Sequence, residues 1–560
     1  MFFNKYKLKL SVSIIVTAVM FMSAIPTQVY ARGNGNGVLP AGNMSFFGGI
    51  SEGVMLPRTT ESMLLEQGTR RNRRQDLSLR YSELVFLAGA PVRFDGTLDI
   101  SSSGTVNMDN QVGTFHKTHT ISSSSSTNED IINLSREVRF LVNYRVEGRQ
   151  VIFTYDAVRN DWEEEIEVGG RTFVLDNEVS HFVVSIIEDR TPGVSYYRGD
   201  ISARLVYVVD DGDGVTIKEK VGSFHGYRSA WSAVETHRID VRISHYDTSA
   251  ETASPGFPAF PTFISPGAPI TTDAEPTWQL QYQLRPSITM NKVLQFVQNE
   301  PTPISFDGNF REVMQNNVGL WYDIFTMPAF MQAVPVPVSG NVHIDVPNTF
   351  EQLPSPDLSF LRGNPAEDDI RRLFSTQILR GNPRFFVPSQ AITRGEFVAA
   401  VTRAIRLPIE EPITPARARV QPDISVFFDV PNTRPEYPYI MAAHRAGLAV
   451  GRANSMFYFD YPIERQEAFM IMIRALGLSQ MSLNPTPMTP FLDDALIAHW
   501  ARREVTVAQM IGLANPVDGF FRPTMMLSKG EAANILNELV EYMRVGLISD
   551  YVDQIVFIPN

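Results

Sequence analysis

Apolar and polar residues alternate one by one through much of residues 38–340, whereas the last third repeats its apolar positions about every four residues. The two rhythms divide the chain. From Val138 to Tyr144 the alternation predicts a half-buried strand, and Val151 to Tyr155 returns across Glu147-Gly148 as the second arm of a hairpin. Phe182–Ile187, Ala203–Val209, Val215–Val221 and Ile239–His245 predict further strands, with Asp211-Gly212-Asp213-Gly214 turning the chain between the second and third of these. Ser101–Ser103 and Ser122–Ser126 read as polar strand ends or loops. Strands at short intervals without helices between them predict an all-β, sandwich- or barrel-like region over 38–340. Pro255–Pro276 reads as a long surface loop or a boundary. Residues 277–340 have no clear rhythm and attach to the β region or to a second small domain.

The helical third says one thing three times. Phe386, Phe457 and Phe521 each stand eight residues before a cation (Arg394, Arg465, Lys529), and a Glu follows each cation by two (Glu396, Glu467, Glu531). Asp429 precedes Arg465 by 36 residues, and Asp493 precedes Lys529 by the same 36. In the first copy Ile344-Asp345-Val346 takes the matching place, 49 residues ahead, as though 13 residues were inserted around Pro354-Ser355-Pro356. Thr393 to Glu396 and Ser528 to Glu531 are capping boxes that open a helix, while Glu464 is a weaker cap. Phe397, Val401 and Ile405, then Ala468, Met472 and Leu476, then Ala532, Leu536 and Val540 form stripes that face a core. Ile370, Leu373 and Phe374, and later Ile440, Ala443 and His444, mark a preceding helix. Each unit is helix, loop, helix with a short extended lead-in.

The cation sits at the first residue of the second helix, where it opposes the helix dipole at a cost of roughly 0.3–1 kcal/mol. Three occurrences in register point to a use. With the backbone N–H groups of the helix start, such a cation makes an anion pocket, and an Arg grips a carboxylate through two parallel hydrogen bonds. The competing reading is a solvated cation tied to a nearby acid.

Residues 341–545 resemble three consecutive S-layer homology (SLH) domains. The resemblance rests on Phe428-Asp429-Val430-Pro431, on Ile392-Thr393-Arg394-Gly395-Glu396 and its two counterparts, and on Arg474-Ala475-Leu476-Gly477-Leu478. It implies repeats over 341–409, 424–479 and 489–545, a 546–560 tail, and an α-helical bundle with a pseudo-threefold arrangement. It further implies grooves that hold secondary cell wall polymer, commonly pyruvylated, with the motif's basic residue on the acidic sugar. By position that role falls to Arg394, Arg465 and Lys529. The chain departs from the family pattern at Gly395 and Gly530 in place of Ala, at Lys529 in place of Arg and at Glu464 in place of Thr. Pro408–Pro422 reads as a linker between the first two repeats.

Delivery and charge agree with this picture. Lys5, Lys7 and Lys9, the apolar run Ser11–Ile25 and Val29-Tyr30-Ala31 read as a secretory signal over 1–31, followed by a Gly/Asn linker over 32–37. The last residues carry no Leu-Pro-x-Thr-Gly signal, which leaves the repeats to hold the chain in the cell wall or surface layer. The 560 residues include no cysteine, which excludes disulfides and thiolate metal sites. Without residues 1–31 the balance is 46 basic against 61 acidic residues, a net of −15 that repels nucleic acid and anionic membranes.

The β region offers little chemistry. Asp211–Gly214 lacks the later ligands of a calcium loop, since Val215 and Gly222 occupy those places. His116 and His119 fall on opposite faces of a strand. Trp162-Glu163-Glu164-Glu165 reads as a charged run on a turn. No nucleophile elbow, phosphate loop or dinucleotide fingerprint is present, so neither a cofactor nor a metal is expected. Two readings follow: a non-catalytic envelope protein, either a surface-layer component in which self-association is a partner option or a surface adhesin-like module, or an anchored polysaccharide hydrolase, which would need two carboxylates across an aromatic cleft.

Overall fold

In a computed structural model the described residues are 43–44, 46–51, 75–103, 111–123, 132–247, 275–297, 309–332, 337–407, 409, 426–451 and 455–551. The expected signal, the Gly/Asn linker, most of both proline-rich stretches and the last nine residues lie outside them.

Sixteen strands form one antiparallel sheet. They are β1 (Asn43–Met44), β2 (Ile50–Ser51), β3 (Gln75–Val85), β4 (Val92–Ser103), β5 (Val112–Ser123), β6 (Ile132–Glu147), β7 (Gln150–Val168), β8 (Arg171–Leu175), β9 (His181–Arg190), β10 (Val194–Val209), β11 (Gly214–Ser229), β12 (Ser232–Asp247), β13 (Trp278–Val297), β14 (Asn309–Thr326), β15 (Ser339–Ile344) and β16 (Thr349–Gln352). Sequence neighbours pair along nearly the whole path, as short connections dictate. β9 lies between β7 and β10, and β16 extends the edge beside β14. The alternation seen in the sequence decides which face is inward. On β6, Ile132, Leu134 and Val138 are buried while Asn133, Ser135 and Glu137 face water. The predicted hairpin joins β6 to β7, with Glu147 opposite Gln150 and Gly148 at φ 62°, a backbone region glycine enters freely. The sheet curls until its two ends meet: Phe86 stacks on Tyr282 with ring centroids 3.9 Å apart, and the Arg80 guanidinium donates to the Asp345 carbonyl at 3.0 Å.

Three expectations change. Residues 277–340 supply two of the longest strands, β13 and β14. Trp162–Glu165 is mid-strand in β7 and not a turn, so Glu164 points inward. Ile344, read as the lead-in to the first repeat, sits in β15 and in the β core. Leu358, which is buried in the helical core, stands 36 residues before Arg394, the spacing that Asp429 and Asp493 keep from Arg465 and Lys529.

The helical region follows as α1 (Glu367–Ser375), α2 (Arg394–Ala404), α3 (Tyr437–Arg445), α4 (Arg465–Leu476), α5 (His499–Met510) and α6 (Lys529–Glu541). The predicted stripes are buried in a second core. That core also takes Val194, Tyr227, Ala230, Trp231 and Val234 from two tips of the sheet. Helix ends leave carbonyls unsatisfied, and the sheet satisfies them. Trp231 Nε1 donates to Ala404 O of α2 at 2.8 Å. Gly193 N donates to Ala475 O of α4 at 2.7 Å, and the Tyr196 hydroxyl reaches Leu476 O at 3.3 Å. The Ser232 hydroxyl donates to Met543 O, just beyond α6.

A buried ion cluster joins the same two regions. Arg406 Nη2 lies 2.8 Å from Glu312 of β14, which also pairs with Lys292 of β13. Burial, with Arg406 close by, pushes Lys292 down to about 8. The unfolded value is roughly 10.4. Holding Lys292 charged therefore costs folding below pH 8, and that cost is relieved as pH rises from about 8 towards 10.4. Wild-type stability should gain on a Lys292→Met variant by about 3 kcal/mol across this window in urea titrations. Parallel curves would refute the assignment.

Candidate functional site

The three helices α2, α4 and α6 start around a common point. Ile392, Ile463 and Leu527, each two residues before a helix, are buried there. Their backbones form a closed ring of hydrogen bonds: Ile392 N donates to Leu527 O at 2.9 Å, Leu527 N to Ile463 O at 3.1 Å, and Ile463 N to Ile392 O at 3.2 Å. The first amide of each helix is also given to a neighbour, Arg394 N to Tyr461 O, Arg465 N to Met525 O and Lys529 N to Gln390 O, at 2.7–2.8 Å. The second amides do the same: Gly395 N binds Phe459 O, Gln466 N binds Pro523 O and Gly530 N binds Pro388 O. These amides were expected to be free for an anion. They are not, because assembly of the three loops consumes them, which leaves anion recognition to side chains.

Local sequence explains the loops. Both predicted capping boxes form, Thr393 with Glu396 and Ser528 with Glu531, and Glu464 makes no side-chain cap. The Asp429 carboxylate accepts from Phe457 N at 2.7 Å and Phe459 N at 2.9 Å, and Asp493 does the same for Phe521 N and Arg522 N. Burial raises the Asp429 pKa, but these backbone donors outweigh it and hold the carboxyl below its ordinary value. Gly395 is required where it stands, since a Cβ there would lie 2.1 Å from the Phe459 ring.

The three cations all reach between neighbouring loop–helix units, and each faces the third-position carboxylate of the next helix. They differ in how far they are used up. Arg394 is 4% exposed. Its Nε meets Glu467 Oε1 at 2.7 Å, Nη2 donates to Val450 O at 2.8 Å, Nη1 donates to Phe457 O, and the guanidinium covers the Phe457 ring at 4.2 Å. Lys529 Nζ pairs with Glu396 Oε1 at 2.9 Å, its side chain mostly covered. Arg465 forms no ion pair with a described residue. It lies over the rings of Phe469 at 5.2 Å and Phe521 at 5.5 Å, and its buried Nε finds no hydrogen-bond acceptor there. Burial lowers its pKa from the ordinary value, against the attraction of Glu531 and Glu538. Glu538 in turn is raised by its own burial. The arrangement has the chemistry to hold a planar anion at Arg465, with aromatic walls beside it.

In the sequence Glu396 and Glu531 read as capping carboxylates, and none of Glu396, Glu467 and Glu531 reads as facing the cation of a neighbouring unit. Their constant two-residue offset from the cations was the available signal. No helix among the described residues is long and apolar enough to cross a membrane.

Comparison with known proteins bears on this region. The chain is 26% identical over 215 residues to an S-layer protein of Bacillus licheniformis, covering 38% of this chain and 21% of that protein. It is 30% identical over 184 residues to exoglucanase XynX of Acetivibrio thermocellus (32% and 16%), and 29% identical over 184 residues to an amylopullulanase of Thermoanaerobacterium thermosulfurigenes (32% and 9%). The chain thus spans about a fifth or less of the length of these relatives. Residues 427–469, which run from the buried Phe427 through Asp429 and Arg465 into α4, match the S-layer homology domain family and carry one such domain.

Proposed function

We propose that the chain is a non-catalytic envelope protein held to a pyruvylated secondary cell wall polymer by three SLH repeats in a pseudo-threefold bundle. The first repeat begins near Asp357-Leu358 and the other two cover 424–479 and 489–545. The observation that carries this reading is the closed hydrogen-bond ring through Ile392, Ile463 and Leu527, which sets three equivalent loops and their cations about one point. The match at 427–469 supplies the family. Cell-surface association follows from the SLH domain, and the S-layer relative favours a surface-layer component.

The three cations take different parts. Arg465 makes the direct contact with the acidic sugar, because its guanidinium is oriented but not neutralised by contact. Lys529 joins by exchanging Glu396 for the ligand. Arg394 braces the wall of its crevice. On purified cell walls, Arg465→Ala in the full chain should weaken binding roughly ten- to hundredfold, the worth of one or two hydrogen bonds to a charged group. Adding Lys529→Ala should weaken it further, since linked sites act together. Walls stripped of pyruvyl groups should bind the wild type no better than the variants. Equal binding of wild type and Arg465→Ala sinks the assignment.

Two relatives are named as an exoglucanase and an amylopullulanase, which favours a second reading as an anchored polysaccharide hydrolase. Against it, Glu83 and Glu164, two of the buried carboxylates of the β region, are both engaged by Arg136.

A further inference from the structure

The outer face of β13–β15 carries an aromatic platform. On β14, Val318, Leu320 and Tyr322 are buried in the β core, so Asn317, Gly319, Trp321, Asp323 and Phe325 stand on the outer face. The Trp321 indole lies over Gly319, where a Cβ would meet the ring at 2.7 Å. A glycine in mid-strand weakens a sheet, and close approach of another group is a common reason for it. The sheet uses the same pairing inside, where Phe94 covers Gly96, Phe224 covers Gly199 and Tyr197 covers Gly226, and those rings are buried. Trp321 is laid down in the same way on the outside, where it is only half-buried. The strand covers one side of the ring and leaves the other to solvent.

Polar groups rim the indole. Arg285 of β13 stands opposite Trp321 on one side and Asn341 of β15 on the other. Asn341 Nδ2 lies 3.1 Å from His343 Nε2, and the His343 ring meets the indole edge-on with centroids 5.5 Å apart. Past Gly319 a hollow of about 250 Å³ opens, with Asn317, His343 and Asp345 in its lining. It lies where the chain leaves the ladder between Ile344, opposite Val318, and Thr349, opposite Met314. Four residues the other way, about 13 Å along the strand, the exposed Phe325 borders a second hollow of about 360 Å³ with Asp240, Arg242 and Gln281. Arg285 is answered by Asp323, and Asp345 adds a carboxylate, so the rim offers an anion no net positive charge. A sugar ring suits it better. The ring is apolar on its face, where C–H bonds project, and polar around its edge, where the hydroxyls lie. It needs a flat apolar surface with a few donors and acceptors beside it.

We propose that this face binds an uncharged polysaccharide, one sugar ring stacking on Trp321 with its hydroxyls held by Arg285, Asn341, His343 and Asn317, and the glycan running along β14 toward Phe325. The site stands apart from acidic-polymer binding at Arg465, which uses other residues and another charge. The full chain is run through gels holding a soluble neutral glucan or a soluble neutral xylan, and is pelleted with peptidoglycan stripped of its secondary polymer. At least one of the three should retain it; the gels identify an external polysaccharide, the pellet the wall's own glycan. Trp321→Ala should weaken that retention about tenfold, the worth of one aromatic anchor. Trp321→Phe, which keeps a ring, should restore part of it. Gly319→Ala should weaken it as well, because its methyl displaces the indole while every rim group stays in place. A tryptophan that served only to cover the strand would show no such dependence. Retention of Trp321→Ala equal to wild type overturns the proposal, and so does free passage of the wild type past all three glycans.

Discussion

Arg136→Leu should unfold the β region at markedly lower urea, losing about 3–5 kcal/mol. The guanidinium is 2% exposed and bridges two carboxylates, Glu83 at 2.8 Å and Glu164 at 2.7 Å. The hydroxyls of Tyr81 and Tyr207 complete the network from β3 and β10. Burial alone would push the Glu83 carboxyl up, but Arg136 and Lys218 outweigh it and hold it below the ordinary value. Removing Arg136 reverses that balance and strands two buried acids. A loss of this size takes a large share of the 5–15 kcal/mol that a domain has. Replacing all three charged residues by apolar ones of similar volume should recover most of it, because the cost lies in the unpaired charges and not in the absence of the bridge. Trp162, buried beside Phe182, reports the transition by fluorescence. A single variant within 1 kcal/mol of wild type contradicts the argument.

Arg394→Ala should cost a similar 3–5 kcal/mol, this time in the helical region. It leaves Glu467 without its buried partner and frees the carbonyls of Val450 and Phe457. Arg394→Lys should not rescue it, since an ammonium cannot serve three directions and a ring face together. Arg465→Ala, at the same position of the next helix, should change stability little because it breaks no ion pair among the described residues. The contrast separates the two arginines: one variant fails in denaturation, the other in wall binding. If both lose stability equally, Arg465 is a brace as well.

The sequence disclosed the helices α2, α4 and α6 because the spacings of eight and two residues about each cation recur whatever fills the gaps. It disclosed the strands wherever inward residues were apolar. It hid them where the interior is charged. Trp162, Ile166 and Val168 mark the inward face of β7, and Glu164 falls on it by parity, yet three consecutive glutamates masked the alternation. The bulge opposite, between Val138 and Phe140, shifts the register further. Ile344-Asp345-Val346 imitated a repeat lead-in because both contexts ask for an apolar residue beside an acid. That Arg394 pairs with Glu467 and Lys529 with Glu396 was not readable, since each acid follows a different cation in the sequence and only assembly brings the pairs together. Phe46 and Phe47 gave no sign of their place in the β core, because so short a segment has no periodicity.

The hairpin tips that receive the far ends of α2, α4 and α6 have a mechanical consequence. Those helices begin at the cations and end, about 16 Å later for the 11 residues of α2, against Trp231, Gly193 and Ser232. Whatever grips the near end thereby aims the sheet. A tether with slack would let its cargo tumble. This one acts as a stiff bracket, and copies seated on a common surface would all present the same side outward at the same height.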